Sequence, residues 1–547
     1  MSKELLTQQT PLSKGNIESL VLYSSAPSPC VRRVRITLIE KGLEFDTVEI
    51  NLPNMEQRSE AYLALNPNGY VPTMSHGKQV IFESSVINQY LEEQFPQVSL
   101  MPKDPTGQAQ VAMWIEAEAT MAKIFRPLMY QRIQAPVVHI TRTLEESLKI
   151  VARASDDIID HNWQKKVWNR EVLSLNEETK HQRNLLQWLE LVEKTLRNQE
   201  YLVGNKFSQA DISLFPRIDM YADLGIEIDP QYFPNVLSWM ARLQQRPSFE
   251  LSMTEEAKKL RKLTTSPLLP KIRRILAKPR KNVLDKLFLW GMGRIMRKLQ
   301  KVSQLLNDNY QPRALPLPKE PTSPIAFRSV EAFFGPVKKS KVTLYGNAHS
   351  VHSQRIVTLL DQLKIKYQYV EINLQKNQHK SDEFSRLNPH SQVPVLKHGA
   401  QIIYDSSVIA QYLSQIFDKK QNWFPTSSWQ AAQHRMWLAL EAGTHKEFKP
   451  LWDKYIVKVF NQQANIVNEE QSLKRIYQKL SQLENALQQK AFLCGDQIRY
   501  ADIAWFTRLE QLSAIPNVNL KKFSALNNWQ NKVADILASE QGRSKCL

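Results

Sequence analysis

Two stretches of sequence decide the fold: VPTMSHGKQVIFESSVI at residues 71–87 and VPVLKHGAQIIYDSSVI at residues 393–409. They lie 322 positions apart, and the match between them extends well beyond their ends. At this single offset, 29 of the 75 residues in 21–95 are identical to their counterparts, without a gap. Self-similarity at a fixed spacing is the signature of a repeated structural unit, so the chain contains a duplicated domain.

The pattern of apolar residues predicts the same order of elements in both copies. A short apolar run predicts a strand (19–23 and 341–345), and a helical pattern follows it (31–41 and 352–363). A second strand, a short helix, a β-hairpin and a closing helix complete the copy. This order predicts a thioredoxin-like βαβ-α-ββα domain of about 80 residues.

Helical periodicity continues after each α/β domain, for example at 182–196 and 473–487. The predicted fold class is therefore α/β plus all-α, twice. The predicted boundaries are 18–100 and 105–250 for the first copy, 251–340 for a linker, and 341–420 and 426–540 for the second copy.

The first helical domain is longer than the second. Trp114 matches Trp437 at an offset of 323, but Tyr201 matches Phe492 at an offset of 291. About 30 extra residues must therefore lie between 136 and 182, where the pattern predicts a helical insertion.

The composition is that of an ordinary globular protein. Hydrophobic residues make up 42% of the 547 and charged residues 23%, which excludes wholesale disorder and a fibrous chain. Three cysteines cannot build a disulfide framework, and the Cys/His spacing of a zinc site is missing. No apolar run approaches the roughly 18 residues of a membrane span, and no secretory signal is visible. We therefore expect a cytoplasmic protein without a metal.

The net charge of +18 is concentrated in one segment. Residues 251–340 contain 20 Lys and Arg against 6 Asp and Glu, a net charge of +14. Apolar residues at helical spacing between 283 and 306 share one face, and prolines between 312 and 324 predict an extended tether. The helix either docks on one of the two copies or makes weak contact with an anionic membrane surface through 271–306. Binding of nucleic acid is the least favoured alternative.

Each copy resembles a cytosolic glutathione transferase, in which a thioredoxin-like domain precedes an α-helical domain. The resemblance covers 21–250 and 341–540. It rests on a Val-Pro pair that is followed, eleven residues after the proline, by an acidic residue and a serine, an ordered set present in both copies. In the first copy, Ser28-x-Cys30 before Arg-Val-Arg is similar to zeta-class transferases and to the related reductive dehalogenases.

The resemblance implies a glutathione site in each copy. In the family, the peptide bond between Val71 and Pro72 is cis, and the backbone of Val71 faces the cysteinyl part of glutathione. Glu83 suits the γ-glutamyl ammonium group, and Ser84, at a helix N-terminus, suits the γ-glutamyl carboxylate. For Ser84 the alternative is a plain N-cap. The corresponding residues of the second copy are Val393, Pro394, Asp405 and Ser406.

The candidate catalytic residues come from the same resemblance. Ser28 is implied to hydrogen-bond the glutathione sulfur, and Cys30 is implied to be a nearby thiol. The alternative for Cys30 is a small buried side chain. In the second copy Ser350 matches Ser28, but His352 replaces Cys30, so any mechanism that needs a protein thiol is lost there.

Two further pairs of positions match between the copies. Arg58 and Lys380 occupy the position at which some classes bind the glycine carboxylate of glutathione, and a solvated helix face is an equal alternative. Ser208 and Asp211 resemble the family's N-capping box, which is structural. The second copy keeps the acid as Asp502 and loses the serine, which is another sign of divergence.

Two functions remain open. The first is an enzyme that activates glutathione as a thiolate for attack on a small electrophile or a disulfide, by conjugation, isomerisation, dehalogenation or thiol transfer, as in detoxification. The second is a non-catalytic protein of the stringent-starvation type, which shares the fold and binds RNA polymerase. Residues 91–102 (LEEQFPQVSLMP) resemble that type, but its Pro-His-Pro is Pro96-Gln97-Val98 here. The glutathione-binding pattern favours the enzyme, either as a pseudo-dimer within one chain or as a homo-oligomer.

Overall fold

The computed structural model describes residues 19–154, 158–299, 340–457 and 469–540. The proline-rich stretch, residues 300–306 of the predicted basic helix and Cys546 lie outside these ranges. The described residues form two compact units. Unit 1 takes residues 19–100 and 114–299 with the gap given above, and unit 2 takes residues 101–113 and those from 340 onward.

Unit 1 begins with the predicted α/β domain. Its elements are β1 (Leu20–Ser24), α1 (Pro29–Glu40), β2 (Asp46–Glu49), α2 (Glu60–Leu65), β3 (Thr73–His76), β4 (Gln79–Phe82) and α3 (Ser84–Gln94). The strand order is β2-β1-β3-β4, with β1 parallel to β2 and the other pairs antiparallel. Leu22 and Met74 of the sheet, Val34 of α1 and Ile87 of α3 are fully buried. The predicted order of elements is confirmed, with strand ends displaced by one or two residues.

Helices complete this unit. They are α4 (Pro105–Met129, of which residues 114–129 belong to this unit), α5 (Ala135–Thr141), α6 (Leu144–Ala154), α7 (Ile158–Asn169), α8 (Leu175–Leu196), α9 (Gln209–Asp219), α10 (Pro234–Gln244) and α11 (Pro247–Leu251). Every residue of α9 is buried. Asp211 accepts hydrogen bonds from the N–H groups of Ser208, at 2.9 Å, and Leu202, at 3.0 Å, so the predicted capping box is present and structural.

The stretch predicted to hold an insertion contains α6 and α7. Arg142, between α5 and α6, donates a hydrogen bond to the backbone oxygen of Pro53 at 3.2 Å, and α7 places Asp160 near Arg58. The inserted helices therefore contact the thioredoxin-like domain of the same copy.

The basic stretch starts with three helices that pack on unit 1, namely α12 (Glu255–Thr264), α13 (Leu268–Ala277) and α14 (Val283–Leu299). Met292 and Met296 of α14 lie in apolar clusters with residues of α5 and α13. Gly293 permits this close approach, because a Cβ atom there would collide with the backbone oxygen of Ile140. The sequence left docking and contact with a membrane surface as the main alternatives for this helix, and one face of α14 is docked.

Unit 2 repeats the architecture. Its elements are β5 (Val342–Gly346), α15 (Val351–Gln362), β6 (Tyr367–Glu371), α16 (Asp382–Leu387), β7 (Val395–His398), β8 (Gln401–Tyr404), α17 (Ser406–Phe417), α18 (Ser428–Trp452), α19 (Glu469–Leu487), α20 (Tyr500–Ser513) and α21 (Ser524–Glu540). The strand order is β6-β5-β7-β8, which is the order of the first sheet. Among the described residues, no helix has the length and apolar character needed to cross a membrane.

Candidate active site

Three segments of each copy meet at one end of its sheet. In the first copy, Tyr23 of β1 pairs with Thr73 of β3, and Thr73 pairs with Phe82 of β4. The loop after β1, the peptide bond before β3 and the N-terminus of α3 therefore lie side by side. The same register recurs in the second copy at Tyr345, Val395 and Tyr404.

Ser28 occupies the N-cap position of α1. Its hydroxyl oxygen accepts a hydrogen bond from the backbone N–H of Val31 at 3.4 Å, and the side chain is half-buried. This contact uses a lone pair, so the O–H can still donate to a ligand. Ser350 has the same position before α15, but its side chain makes no capping hydrogen bond.

Cys30 lies in the first turn of α1 and is half-buried. Nη2 of Arg217, from α9, lies 3.5 Å from its sulfur. Arg217 also pairs with Glu118 of α4 at 2.5 Å, and Glu118 pairs with Arg33 of α1. Burial opposes the charge of Arg217, but Glu118 and the Cys30 sulfur raise its pKa above the ordinary value. Burial likewise opposes ionisation of Glu118, yet Arg217 and Arg33 hold its pKa below the ordinary range.

The cis bond that the resemblance implied is present before β3 of the first copy, between Val71 and Pro72. Glu83 then adopts a positive φ of 69° as the residue before α3, and its carboxylate accepts a hydrogen bond from the Asn68 amide at 3.3 Å. Its side chain makes no capping bond to α3. Ser84 is buried, and no residue of the described structure hydrogen-bonds its hydroxyl. The first turn of α3 is therefore available to an anion.

Arg58 lies beside this site but already has contacts within the protein. Its Nη1 donates to the backbone oxygen of Asn68 at 3.4 Å, and its Nε lies 3.8 Å from Asp160 of the inserted helix α7. Its guanidinium also lies over the ring of Tyr70, 5.6 Å from the centroid. In the second copy, the matching Lys380 is exposed.

The second copy fills the corresponding positions with its own side chains. The Val393–Pro394 bond is also cis. However, Nδ1 of His352 lies within hydrogen-bond distance of the Ser406 hydroxyl, at 3.2 Å. Burial, with a smaller contribution from neighbouring Arg355, lowers the pKa of His352 to about 3, so the imidazole is neutral at pH 7. The Ser406 hydroxyl, which the resemblance implied would bind the γ-glutamyl carboxylate, therefore already has His352 as its hydrogen-bond partner.

Asp405 also differs from its counterpart Glu83. Its shorter carboxylate accepts hydrogen bonds from the backbone N–H groups of Ser407, at 2.8 Å, and Val408, at 3.3 Å. Both N–H groups belong to the first turn of α17, the site at which a ligand carboxylate would bind. The N-terminus of α17 is thus occupied by the protein itself.

Sequence reasoning missed the buried ionic triad of Arg33, Glu118 and Arg217. The second copy has the same triad, in which Glu441 pairs with Arg355 at 2.9 Å and with Arg508 at 2.7 Å. The three members match at offsets of 322, 323 and 291, so the repeat itself carried the signal. The structure brings the predicted residues of the first copy to one end of its sheet, with Arg58 beside them: Ser28, Cys30, Val71, Pro72, Glu83 and Ser84.

Comparisons with known proteins agree with the duplication. Models described as "Glutathione S-transferase, N-terminal domain" match residues 27–94 and 340–415. The model described as "Glutathione S-transferase, C-terminal domain" matches residues 173–247 and 453–536. Together the matched residues make up more than half of the chain.

Several relatives are similar to part of the chain. Protein LigF of a Sphingobium species is 28% identical over 260 residues, which cover 44% of this chain and 95% of that protein. A glutathione S-transferase of Hyoscyamus muticus is 27% identical over 231 residues, 42% of this chain and 94% of that protein. A zeta-class enzyme of Euphorbia esula is 42% identical over 93 residues, 17% of this chain and 41% of that protein.

Among solved structures, the β-etherase LigF from Sphingobium sp. strain SYK-6 is 26% identical and covers 43% of this chain and 98% of its own, with a TM-score of 0.40. The similarity of residues 91–102 to stringent-starvation-type proteins stays a prediction. The matched N-terminal and C-terminal domains each occur twice, and the chain therefore belongs to the glutathione S-transferase family as a tandem repeat of its two-domain unit.

Proposed function

We propose that the first copy binds glutathione and transfers it to a small electrophile, and that the second copy has lost this ability. The observation that carries the proposal is the difference between Ser84 and Ser406. Ser84 begins a helix whose first turn is available to an anion, whereas His352 and Asp405 already use the matching groups of the second copy.

In the proposed mechanism, the γ-glutamyl carboxylate binds Ser84 and the first turn of α3, and Glu83 faces the γ-glutamyl ammonium group. The backbone of Val71 pairs with the cysteinyl part, which directs the sulfur towards the N-terminus of α1. The Ser28 O–H donates to the thiolate, and the positive end of α1 stabilises its charge. Cys30 remains the neighbouring thiol, and Arg217 can donate a hydrogen bond to its sulfur.

The thiolate then attacks an electrophilic carbon. A carbon–sulfur bond forms, the bond to the leaving group breaks, and the leaving group departs with the electron pair. A relative named as a β-etherase makes a β-ether a sensible test substrate, beside a general aryl halide. Reduction of a disulfide by thiol transfer is the other reaction to assay.

Glutathione titration of the full-length protein by calorimetry tests the proposal. We expect one molecule bound per chain. Ser84→Ala should weaken binding about ten- to a hundredfold, because a hydrogen bond to a charged group contributes about 1.5–3 kcal/mol. Ser406→Ala is the matched control and should leave the titration unchanged. Two equal sites would contradict the loss in the second copy, and no binding at all would contradict the proposed function.

We further propose that the exposed face of α14 makes weak contact with an anionic lipid surface. The exposed face consists of side chains that are 52–76% accessible, namely Val283, Leu284, Leu287, Trp290, Ile295 and Leu299. The Arg294 guanidinium lies 4.8 Å from the Trp290 ring centroid on the same face. Residues 267–299 contain ten Lys and Arg and one Asp, and that Asp285 is paired with Lys278 at 2.8 Å. Apolar side chains among basic ones support a lipid surface over nucleic acid.

A further inference from the structure

Unit 2 contains a cleft on the side of α15 opposite Ser406, and Asn347 and Ala348 of the loop after β5 also line it. Its volume is about 520 Å³, and it lies between α15, β6, α20 and α21. The residues that matter for its chemistry are Gln354, Tyr367, Tyr369, Phe506, Glu510 and Leu537. Gln354 and His352 are two residues apart on α15 and therefore point about 200° apart around the helix axis. The cleft thus faces away from the Ser406 side of α15.

The duplication shows what this position holds in the other copy. Gln354 corresponds to Arg32 at the offset of 322, and Glu510 corresponds to Asp219 at the offset of 291. In unit 1, Nη1 of Arg32 lies 2.5 Å from the buried carboxylate of Asp219. Arg261 of α12 binds the same carboxylate, with its Nη2 3.0 Å from Oδ1. The first copy therefore places two guanidinium groups on its acid.

An aromatic ring fills the rest of this position in unit 1. Phe215 corresponds to Phe506, and the ring of Phe249, from α11, packs edge-on against Phe215 with centroids 4.8 Å apart. Arg32 lies over the Phe215 ring at 5.3 Å and donates to the backbone oxygen of Phe249 at 3.1 Å. A ring and a guanidinium, held together, thus occupy this position in the first copy.

The described residues of the second copy place neither group at this position. A neutral glutamine replaces the arginine, and the part of unit 2 that the structure describes has no cation in contact with the Glu510 carboxylate. Glu510 is exposed at the rim of the cleft, and partial burial of its carboxylate raises its pKa above the ordinary value. In contrast, burial would raise the pKa of Asp219, yet Arg261 and Arg32 hold it below the ordinary range. Phe506 lines an open cleft instead of packing under a second ring.

We propose that this cleft of unit 2 binds a small aromatic cation, with its ring against Phe506 and its amidinium or guanidinium group on Glu510. The two tyrosines of β6 widen the aromatic wall, and planar nitrogen cations pair with a carboxylate through two parallel hydrogen bonds. The ligand would restore in the second copy the ring-and-cation pair that the first copy supplies from its own chain.

Benzamidine is the probe, because it combines a phenyl ring with a planar cation, and benzamide is its neutral counterpart of nearly the same shape. Binding to the full-length protein is measured by ligand-observed NMR titration. We expect benzamidine to bind at least fivefold more tightly than benzamide. Equal affinity of the two compounds, or no binding of benzamidine, would overturn the proposal.

Two exposed positions locate the binding site without disturbing the core. Glu510→Gln should weaken benzamidine at least fivefold, and Gln354→Arg should abolish its binding, because the introduced guanidinium can pair with Glu510 as Arg32 pairs with Asp219. Glu383→Gln, an exposed acid elsewhere in unit 2, is the matched control and should change nothing. Unchanged melting curves verify that the variants are folded. Full affinity in Glu510→Gln and Gln354→Arg would place the probe elsewhere and overturn the assignment.

A last variant asks whether the chain fills the cleft itself. Arg543 and Lys545 lie outside the described residues, after the helix that forms one wall. We expect Arg543→Gln combined with Lys545→Gln to bind benzamidine as the unmodified protein does. Binding that appears only in this double variant would show that the chain supplies its own cation, and it would overturn the proposal of an external ligand.

Discussion

The two copies have the same scaffold and differ in what occupies the end of the sheet. Both have the β2-β1-β3-β4 type of sheet, the cis proline and an Arg–Glu–Arg triad that links α/β and helical domains. The first copy offers Ser84 and the first turn of α3 to a ligand. The second copy uses Ser406 and the first turn of α17 for contacts with His352 and Asp405.

This difference separates what folding needs from what binding needs. A buried ionic triad is expensive to disrupt whatever the activity, because removal of one partner leaves a charge in a medium of low polarity. A hydroxyl and two N–H groups at a helix N-terminus satisfy the fold equally well with an internal partner or a ligand. One cysteine-to-histidine difference and one shortened acid are therefore sufficient to give these groups internal partners on an intact scaffold.

The largest effect concerns the feature that the copies share. Glu118→Gln and Glu441→Gln each leave two buried guanidinium groups without their carboxylate, and we expect each to lower the free energy of unfolding of its own unit by about 3–5 kcal/mol. Hydrogen exchange with mass spectrometry resolves the two units in denaturant. Exposed Glu190→Gln is the control. A large loss in one unit but not the other would contradict an equivalent structural role for the triads.

The next effect concerns catalysis and should be confined to one copy. Ser28→Ala removes the donor to the glutathione thiolate, so we expect kcat with an aryl halide to fall about a hundred- to a thousandfold, or about 2.7–4 kcal/mol. Glutathione affinity should change little, because the thiol form depends less on this donor. Ser350→Ala is the matched change in the second copy and should leave kcat unchanged. An equal fall in both variants would show that both copies are active.

The sequence predicted the elements that local patterns determine. The hairpins β3–β4 and β7–β8 are present in the predicted order, because alternation and the turn between strands set them within a few positions. It could not predict the contact of Arg217 with Cys30, which joins residues 187 positions apart. Periodicity identifies a residue as inward-facing in its helix, but it does not say which distant side chain lies opposite.

The α14 helix shows the same limit. Apolar spacing placed Leu284, Leu287, Phe288 and Met292 on one face, and the structure divides that set. Phe288 and Met292 pack with α13, whereas Leu284 and Leu287 are exposed. The angle of docking depends on the close approach at Gly293, which a hydrophobic pattern does not reveal. The sequence likewise did not reveal the cleft of unit 2, because this cleft is left where the described residues provide no packing partner.

A pH dependence should distinguish the stability of the copies. His352 is neutral in the fold, with a pKa near 3, while an unfolded histidine titrates near 6.5. The unfolded chain therefore binds the extra proton, and unit 2 should lose about 1.4 kcal/mol of stability for each pH unit below about 6.5. His434, which accepts from the N–H of Ala501 and whose pKa burial also lowers to about 3, acts in the same direction.

One effect has the opposite sign. Burial raises the pKa of Asp502 to about 6, so its protonation stabilises the fold as the pH decreases. In unit 1, burial raises the pKa of the matching Asp211 as well, so this effect acts on both units. The difference between units therefore comes mainly from the histidines. Hydrogen exchange at pH 7 and pH 5 measures the free energy of unfolding of each unit. His352→Cys, which introduces the residue of the first copy, should reduce the change of this free energy with pH in unit 2 by the equivalent of about one proton. An unchanged slope would contradict the assignment.

The smallest effect concerns α14, a helix attached to the first copy. Each basic residue near an anionic surface contributes about 1 kcal/mol, within a Debye length of roughly 10 Å at 0.1 M salt. We therefore expect the full-length protein to co-sediment with anionic vesicles at low salt, and Arg294→Gln to weaken this about fivefold. Lys123→Gln, an exposed basic residue of α4, is the control.

Two further variants test which side chains of α14 are exposed and which are docked. Leu287→Ser should weaken vesicle binding without loss of thermal stability, because its side chain is exposed. Phe288→Ser should also lower the melting temperature, because Phe288 packs in the docked face and lies under Lys271 at 4.3 Å. Equal sedimentation with neutral vesicles would exclude an electrostatic lipid contact, and the same melting temperature for both variants would show that the two faces of α14 have been assigned incorrectly.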